Sequence, residues 1–174
     1  MPIAVMTGCN SGIAHAMAKI ALEDGWKVYA LDIVLGDKLK SLEEKQFTYG
    51  PFLLTQALLP NILAAPEPRR LSVVSSRVGS IVDNTSGGYY AYRASKTAVN
   101  SFFKPLSVGL KDKGVIVTVL HPGFTKTNLE PDIWKMPGVV EPEVAAGGLW
   151  KMVLEKGIEE TGKFWHRDNF ELPW

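Results

Sequence analysis

Tyr92 and Lys96 stand four residues apart in Tyr92-Arg93-Ala94-Ser95-Lys96, a spacing that puts both side chains on one face of a helix. A phenol with its ordinary pKa of about 10 is a poor base at neutral pH. An ammonium beside it favours the phenolate and lowers that pKa. Such a pair can take a proton from an alcohol, or return one to a carbonyl, while a hydride moves elsewhere. Tyrosine and lysine at this spacing are common on exposed helices, and Tyr89 and Tyr90 show that tyrosine is locally abundant. The neighbours of the pair give it meaning. Ser75-Ser76 closes the preceding apolar run, at the carboxyl end of a strand, where active sites of parallel sheets gather.

A second constellation lies near the start of the chain. Thr7-Gly8-Cys9-Asn10-Ser11-Gly12-Ile13-Ala14 separates a short apolar run from a helical pattern. Glycine there lets the backbone approach a pyrophosphate, and the helix N-terminus supplies N–H donors and positive dipole. Gly8, Asn10, Ser11, Gly12 and Ile13 are therefore candidate dinucleotide ligands. Asp32 ends the next strand and can accept hydrogen bonds from both hydroxyls of an adenine ribose. It would repel a 2′-phosphate, so NAD is favoured and NADP is the second possibility. The competing reading is a tight turn and a surface aspartate. Pro122-Gly123-Phe124-Thr125-Lys126-Thr127 is another backbone turn able to contact a cofactor.

The elements that must hold these groups follow from periodicity. Ile3–Met6 reads as a buried strand, Gly12–Asp24 as a helix stopped by Gly25, and Lys27–Leu31 as a second strand. Strand, helix and strand in about thirty residues make a βαβ unit. Gly36–Lys45 reads as a charged helix and Pro51–Leu63 as an apolar helix buried on several sides. Leu71–Ser75 is a strand, Tyr92–Leu110 a helix with an apolar face, and Val115–Leu120 a strand covered on both faces. Pro142–Lys156 is a further helix, and the aromatic tail Thr161–Trp174 docks as a strand and loop. The alternation predicts an α/β fold, a doubly wound Rossmann-like parallel sheet in a single domain over residues 1–174.

Composition excludes other classes. The 174 residues carry a net charge of +1, with Lys and Arg scattered rather than striped, which gives no footprint for nucleic acid or an anionic membrane. No stretch approaches the roughly 18 apolar residues of a membrane span, and the short run Ile3–Met6, without a charged lead or a long apolar region, is not expected to be a secretory signal. A single cysteine, Cys9, excludes an internal disulfide and a thiolate zinc site. It fits a reducing compartment, and the expectation is a cytoplasmic protein. Asn84-Thr85-Ser86 matches a glycosylation acceptor by coincidence in that setting. His15, His121 and His166 lack ligand spacing, so no metal site is expected.

With these motifs in order, the chain resembles a short-chain dehydrogenase/reductase over most of its length. The family's glycine motif corresponds to Thr7–Ala14, its strand-end serine to Ser76, its tyrosine–lysine motif to Tyr92–Lys96, and its Pro-Gly turn to Pro122–Thr127. The Gly87-Gly88-Tyr89-Tyr90-Ala91 lead-in, the Tyr-Arg-Ala-Ser-Lys context and the closing Glu171-Leu172-Pro173-Trp174 resemble its C-factor-like branch. The resemblance implies NAD(P)-dependent oxidation or reduction of a small alcohol or carbonyl compound. Ser76 would polarise the substrate oxygen and Tyr92 would act as acid and base. Lys96 would also hold the nicotinamide ribose, and Thr125 and Thr127 would contact the carboxamide and phosphates. In the family, helices such as 51–63 and 92–110 pair across a dimer interface, and burial in the core is the competing explanation of their apolarity. Trp134 falls where the family has a substrate lid, with plain packing as the alternative. The loops Arg77–Gly88 and Asn128–Pro142 encode no readable substrate chemistry.

Two departures from the family matter. Ala14 replaces the third glycine, where alanine is tolerated. Between Asp32 and Gly50 there are only 17 residues, where the family has two more strand–helix units, so roughly fifty residues are absent at about 30 per unit. Phe47 stands where the resemblance places a catalytic asparagine, and it cannot anchor water. The rival to the enzyme is therefore a non-catalytic relative acting by nucleotide binding or protein contacts alone.

Overall fold

The computed structural model describes residues 1–31, 43–129 and 131–174. Its strands are β1 (Ile3–Thr7), β2 (Lys27–Leu31), β3 (Arg69–Val74), β4 (Val115–His121), β5 (Lys163–His166) and β6 (Glu171–Leu172). Its helices are α1 (Gly12–Glu23), α2 (Glu43–Ala64), α3 (Tyr90–Lys111) and α4 (Pro142–Glu155). The chain divides into two compact units, one formed by Met1–Val34 with Pro122–Leu154, the other by Leu35–His121 with Glu155–Trp174.

In the first unit β1 and β2 pair in parallel, Ile3 opposite Lys27 and Thr7 opposite Leu31. The small residues Ala16, Ala18 and Ala21 form the buried face of α1. Gly25 ends that helix as the sequence predicts. At φ +78° it takes the left-handed conformation that costs glycine least. Its N–H donates to the Leu22 carbonyl at 3.1 Å, and the Trp26 N–H to Ala21 at 2.9 Å. Trp26 then meets Trp150 of α4 edge-on, ring centroids 5.2 Å apart, while the Trp150 indole donates to Asp24 Oδ2 at 2.7 Å. The expectation of a buried first strand is corrected: Ile3 is 59% and Val5 47% exposed. β1 has β2 as its only ladder partner among the described residues.

The second unit carries the larger sheet, ordered β3-β4-β5-β6, parallel except for the final antiparallel pair. Val115–Leu120 is buried throughout, as an unbroken apolar run in a doubly covered strand requires. It packs with Val73, Val99, Phe103, Leu110 and Phe164 into one core. The tail, expected as a strand and a loop, docks instead as two short antiparallel strands, β5 and β6, with Trp174 stacked on Phe164, ring centroids 5.7 Å apart.

The α/β parallel architecture is thus the expected one, with its strands divided between a two-stranded and a four-stranded sheet. α2 corrects a detail, because one helix runs through Pro51 and Pro60. Of its Pro51–Leu63 stretch only Thr55 is buried, and Leu53 is exposed. Packing against α3 covers one side of the helix, as in the stacked pair Phe52 and Phe102, and does not enclose it. The charged helix expected at Gly36–Lys45 lies largely outside the described residues, as does Asp32.

Candidate active site

The glycine turn belongs to the first unit. Gly8 and Gly12 both have positive φ, +75° and +64°, which only glycine adopts without strain. α1 begins at Gly12, and Ser11 at its N-cap makes no side-chain capping bond. The first-turn N–H groups are therefore not satisfied by that side chain, the arrangement an anionic ligand uses. Two further contacts shape the turn. The buried Cys9 directs its Sγ to the Met6 carbonyl at 3.4 Å, and His15 Nδ1 lies 3.0 Å from the Cys9 carbonyl. His15 reads as an incidental histidine in the sequence, and its spacing gives no signal of this tie.

Pro122–Thr127 lies in the same unit and comes up to the glycine turn. A Cβ placed on Gly12 would sit 3.5 Å from Thr127 Cγ2. Gly123 has φ +70°, and Thr125 is buried with its hydroxyl turned to the Pro122 and Gly123 carbonyls at 3.4 and 3.3 Å. Thr125 thus shapes the turn from inside. Trp134 is exposed, and its indole N–H donates to the Thr127 carbonyl at 3.0 Å.

Ser76, Tyr92 and Lys96 belong to the second unit. Ser76 follows β3 in extended backbone and leads a 3₁₀ turn, Arg77–Gly79. Tyr92 and Lys96 lie in the first turns of α3, with the Lys96 Nζ 5.7 Å from the centre of the Tyr92 ring. Lys96 is only 8% exposed, and burial pushes its ammonium down to about 8.

Sequence reasoning missed the residues that hold these three. Arg93, between the pair, gathers the loop before α3: its guanidinium donates to the Gly88, Gly87 and Val78 carbonyls at 3.0, 3.1 and 3.2 Å and to Ser86 Oγ at 2.9 Å. Gly87, Gly88 and Tyr89 all have positive φ, a left-handed run that the two glycines announce. Thr97 Oγ1 donates to the Gly79 carbonyl at 2.9 Å, seating the 3₁₀ turn on α3. Asp32 and its ribose contact lie outside the described residues. Phe47 falls within α2. Among the described residues no cluster of three metal-ligating side chains occurs, and no helix is long and apolar enough to cross a membrane.

Comparison with known proteins gives consistent matches. Residues 46–138 match the family described as short chain dehydrogenase. The chain is 39% identical over 171 residues to 1-hydroxy-2-glutathionyl-2-methyl-3-butene dehydrogenase of Rhodococcus sp. (strain AD45), covering 92% of this chain and 74% of that one. It is 34% identical over 125 residues to C-signal of Myxococcus xanthus, covering 72% of each. It therefore spans about three quarters of the length of both relatives. Among solved structures, an NADPH-bound carbonyl reductase from chicken fatty liver superposes with TM-score 0.80 at 19% identity over 100% of both chains. The carbonyl reductase Sniffer of D. melanogaster superposes with TM-score 0.78 at 20% identity over 99% of both.

Proposed function

The chain belongs to the short-chain dehydrogenase/reductase family, and on that premise we propose that it transfers a hydride between a nicotinamide dinucleotide and a small alcohol or carbonyl compound. One observation carries the reading. Lys96 is buried beside Tyr92 with its ammonium pushed down to about 8, and a lysine driven into low dielectric next to a phenol marks proton-transfer machinery more than surface decoration.

The residues fit the cofactor. The glycine turn offers two positive-φ positions and a start of α1 without a side-chain cap to a pyrophosphate, with Asn10, Ser11 and Ile13 along the same backbone and Thr127 beside Gly12; Pro122, Gly123 and Thr125 would shape the loop that carries Thr127. Asp32, by its charge, favours NAD over NADP. When bound, the nicotinamide accepts or supplies the hydride. In the oxidation direction Tyr92, as phenolate, takes the hydroxyl proton while the carbinol carbon gives up hydride, leaving a carbonyl. Lys96 would stabilise the phenolate charge and would hold the nicotinamide ribose. Ser76 donates to the substrate oxygen. In reduction the same proton returns from Tyr92.

The partner of the chain is, in this reading, a second copy of itself. Phe52 on α2 with Phe102, Pro105, Leu106, Gly109 and Leu110 on α3 lines a groove of about 370 Å³, in the helices the family uses for pairing. Sedimentation shows a dimer if this holds. A cytoplasmic setting fits the single cysteine.

Titration with NADH and NADPH followed by nucleotide fluorescence tests the function, together with turnover of small aldehydes and ketones. Saturable binding, NADH tighter, and loss of turnover in Tyr92→Phe are expected. A folded chain that binds neither nucleotide at millimolar concentration leaves the non-catalytic relative as the correct reading. A Tyr92→Phe variant as active as the parent removes Tyr92 from its role.

A further inference from the structure

Two buried polar side chains stand outside the chemistry just described. Ser75 is 3% exposed, and its Oγ donates to Asn100 Oδ1 at 2.6 Å. The same hydroxyl lies 3.4 Å from the Lys96 carbonyl, and the Ser75 N–H donates to the Leu120 carbonyl at 2.7 Å. Ser75 thus ties the end of β3 to both α3 and β4. Asn100 is 4% exposed, one helical turn beyond Lys96. Its Nδ2 is buried and has no hydrogen-bond partner.

An amide at this place is a poor choice for stability. Asn100 shares its helix face with Val99 and Phe103, and leaving a buried N–H unsatisfied is costly. An apolar side chain would avoid that cost but would leave the Ser75 hydroxyl only the longer bond to the Lys96 carbonyl at 3.4 Å. The pair therefore makes sense as a bond with a geometric purpose. Successive side chains at a strand end point to opposite faces, so fixing Ser75 inward fixes where its neighbour Ser76 is presented. The other end of the bond sits on the helix that carries Tyr92 and Lys96.

We propose that the Ser75–Asn100 hydrogen bond is a clamp that sets Ser76 against the Tyr92–Lys96 pair, with Ser75 and Asn100 as positioning residues that touch neither substrate nor cofactor. The effect on turnover rests on the oxidoreductase reading above; the effect on Lys96 does not. Breaking the bond loosens the packing over Lys96 and admits water, so its ionisation moves back toward that of an ordinary lysine.

The test is competitive acetylation of the whole folded chain over a pH series, with Lys96 labelling read by mass spectrometry in the parent, Ser75→Ala, Asn100→Ala, the double variant and Ser75→Thr. The inflection of the labelling curve reads ionisation independently of access. It is expected to move upward in both alanine variants, by the same amount in the double variant because one bond is broken. It should stay at the parent's position in Ser75→Thr, which keeps the hydroxyl. Lys104 on the same helix is the internal control and should not change. In steady-state assays kcat falls about tenfold or more, with KM for the nucleotide unchanged. Ser75→Ala removes a single oxygen and keeps the test decisive if Asn100→Ala does not fold. An unmoved inflection overturns the clamp whether or not the chain turns over. A moved inflection with unchanged kcat overturns its positioning role. A moved inflection in a chain whose parent binds no nucleotide and has no turnover leaves the clamp standing and removes the oxidoreductase reading instead.

Discussion

Gly79 rests directly on the backbone of Lys96. A Cβ at Gly79 would lie 2.7 Å from the Lys96 carbonyl carbon and 2.9 Å from the Thr97 nitrogen. Backbone atoms in the middle of a helix do not step aside for a methyl group. The turn that follows Ser76 is therefore seated on α3 at the lysine, and the absence of a side chain makes that approach possible.

Gly79→Ala should lift this turn. We expect a stability loss of about 1–3 kcal/mol from overpacking and a fall in kcat of about 10²-fold if Ser76 shifts by about 1 Å. Urea denaturation and steady-state kinetics check the two parts separately. An unchanged kcat in a destabilised protein would show that the turn serves stability alone.

Lys96→Met should stabilise the protein at pH 7 while abolishing turnover. The folded-state value of about 8 lies below the ordinary lysine value of 10.5 because of burial. Below about 8 both folded and unfolded chains hold the proton, and the full cost of burying the charge is present, up to about 3 kcal/mol at roughly 1.4 kcal/mol per unit. As pH rises from 8 to 10.5, the folded chain releases the proton first and that cost is relieved. The variant's advantage should therefore shrink across that interval, as denaturation midpoints at a series of pH values will show.

His121 should make the protein acid-sensitive. Burial, followed by the charges of His166, Arg77 and Arg167, pushes it from 6.5 down to about 3, with Asp83 acting the other way. Its Nδ1 is buried and has no hydrogen-bond partner. Between those pH values the unfolded chain takes up a proton that the folded chain refuses, so stability falls as pH drops. At pH 4 the parent should have lost about 3 kcal/mol more than His121→Phe. Parallel curves for the two proteins would exclude this residue as the cause.

Gly12→Ala should weaken nucleotide binding without unfolding the chain. The position has φ +64°, and the added methyl would meet Thr127 Cγ2 at 3.5 Å, an ordinary contact. Its penalty is therefore chiefly the left-handed backbone, about 1–2 kcal/mol. Relief of that strain rotates the first-turn N–H groups that, in the proposed reading, hold a pyrophosphate. Fluorescence titration should show affinity reduced about tenfold, with an almost unaltered circular dichroism spectrum.

The parts of the candidate site that can be read from the sequence are the local ones. Tyr92 and Lys96 announce themselves by spacing on one helix, and the glycine turn by its place between a strand and a helix. Val115–Leu120 declares a covered strand by its unbroken apolar run. What stayed hidden depends on contacts between distant segments. Asn100 looks like any polar residue on a long helix until Ser75, 25 residues earlier, is found against it. Gly79 carries no sign of the backbone it touches. The exposure of Ile3 and Val5 is likewise unreadable from an apolar strand, because the sequence records the preference for burial and not whether a neighbour exists to satisfy it.

The two units are interleaved along the chain, and that ordering governs how the protein can be made. Pro122–Leu154, which belongs to the first unit, separates β4 from β5, whose ladder joins Thr118 to Lys163 and His121 to His166. On the ribosome β4 emerges long before its partner and must wait while a piece of the other unit is synthesised. Such distant parallel pairing is slow to form, and for that interval a valine-rich edge is available to any other unfinished chain.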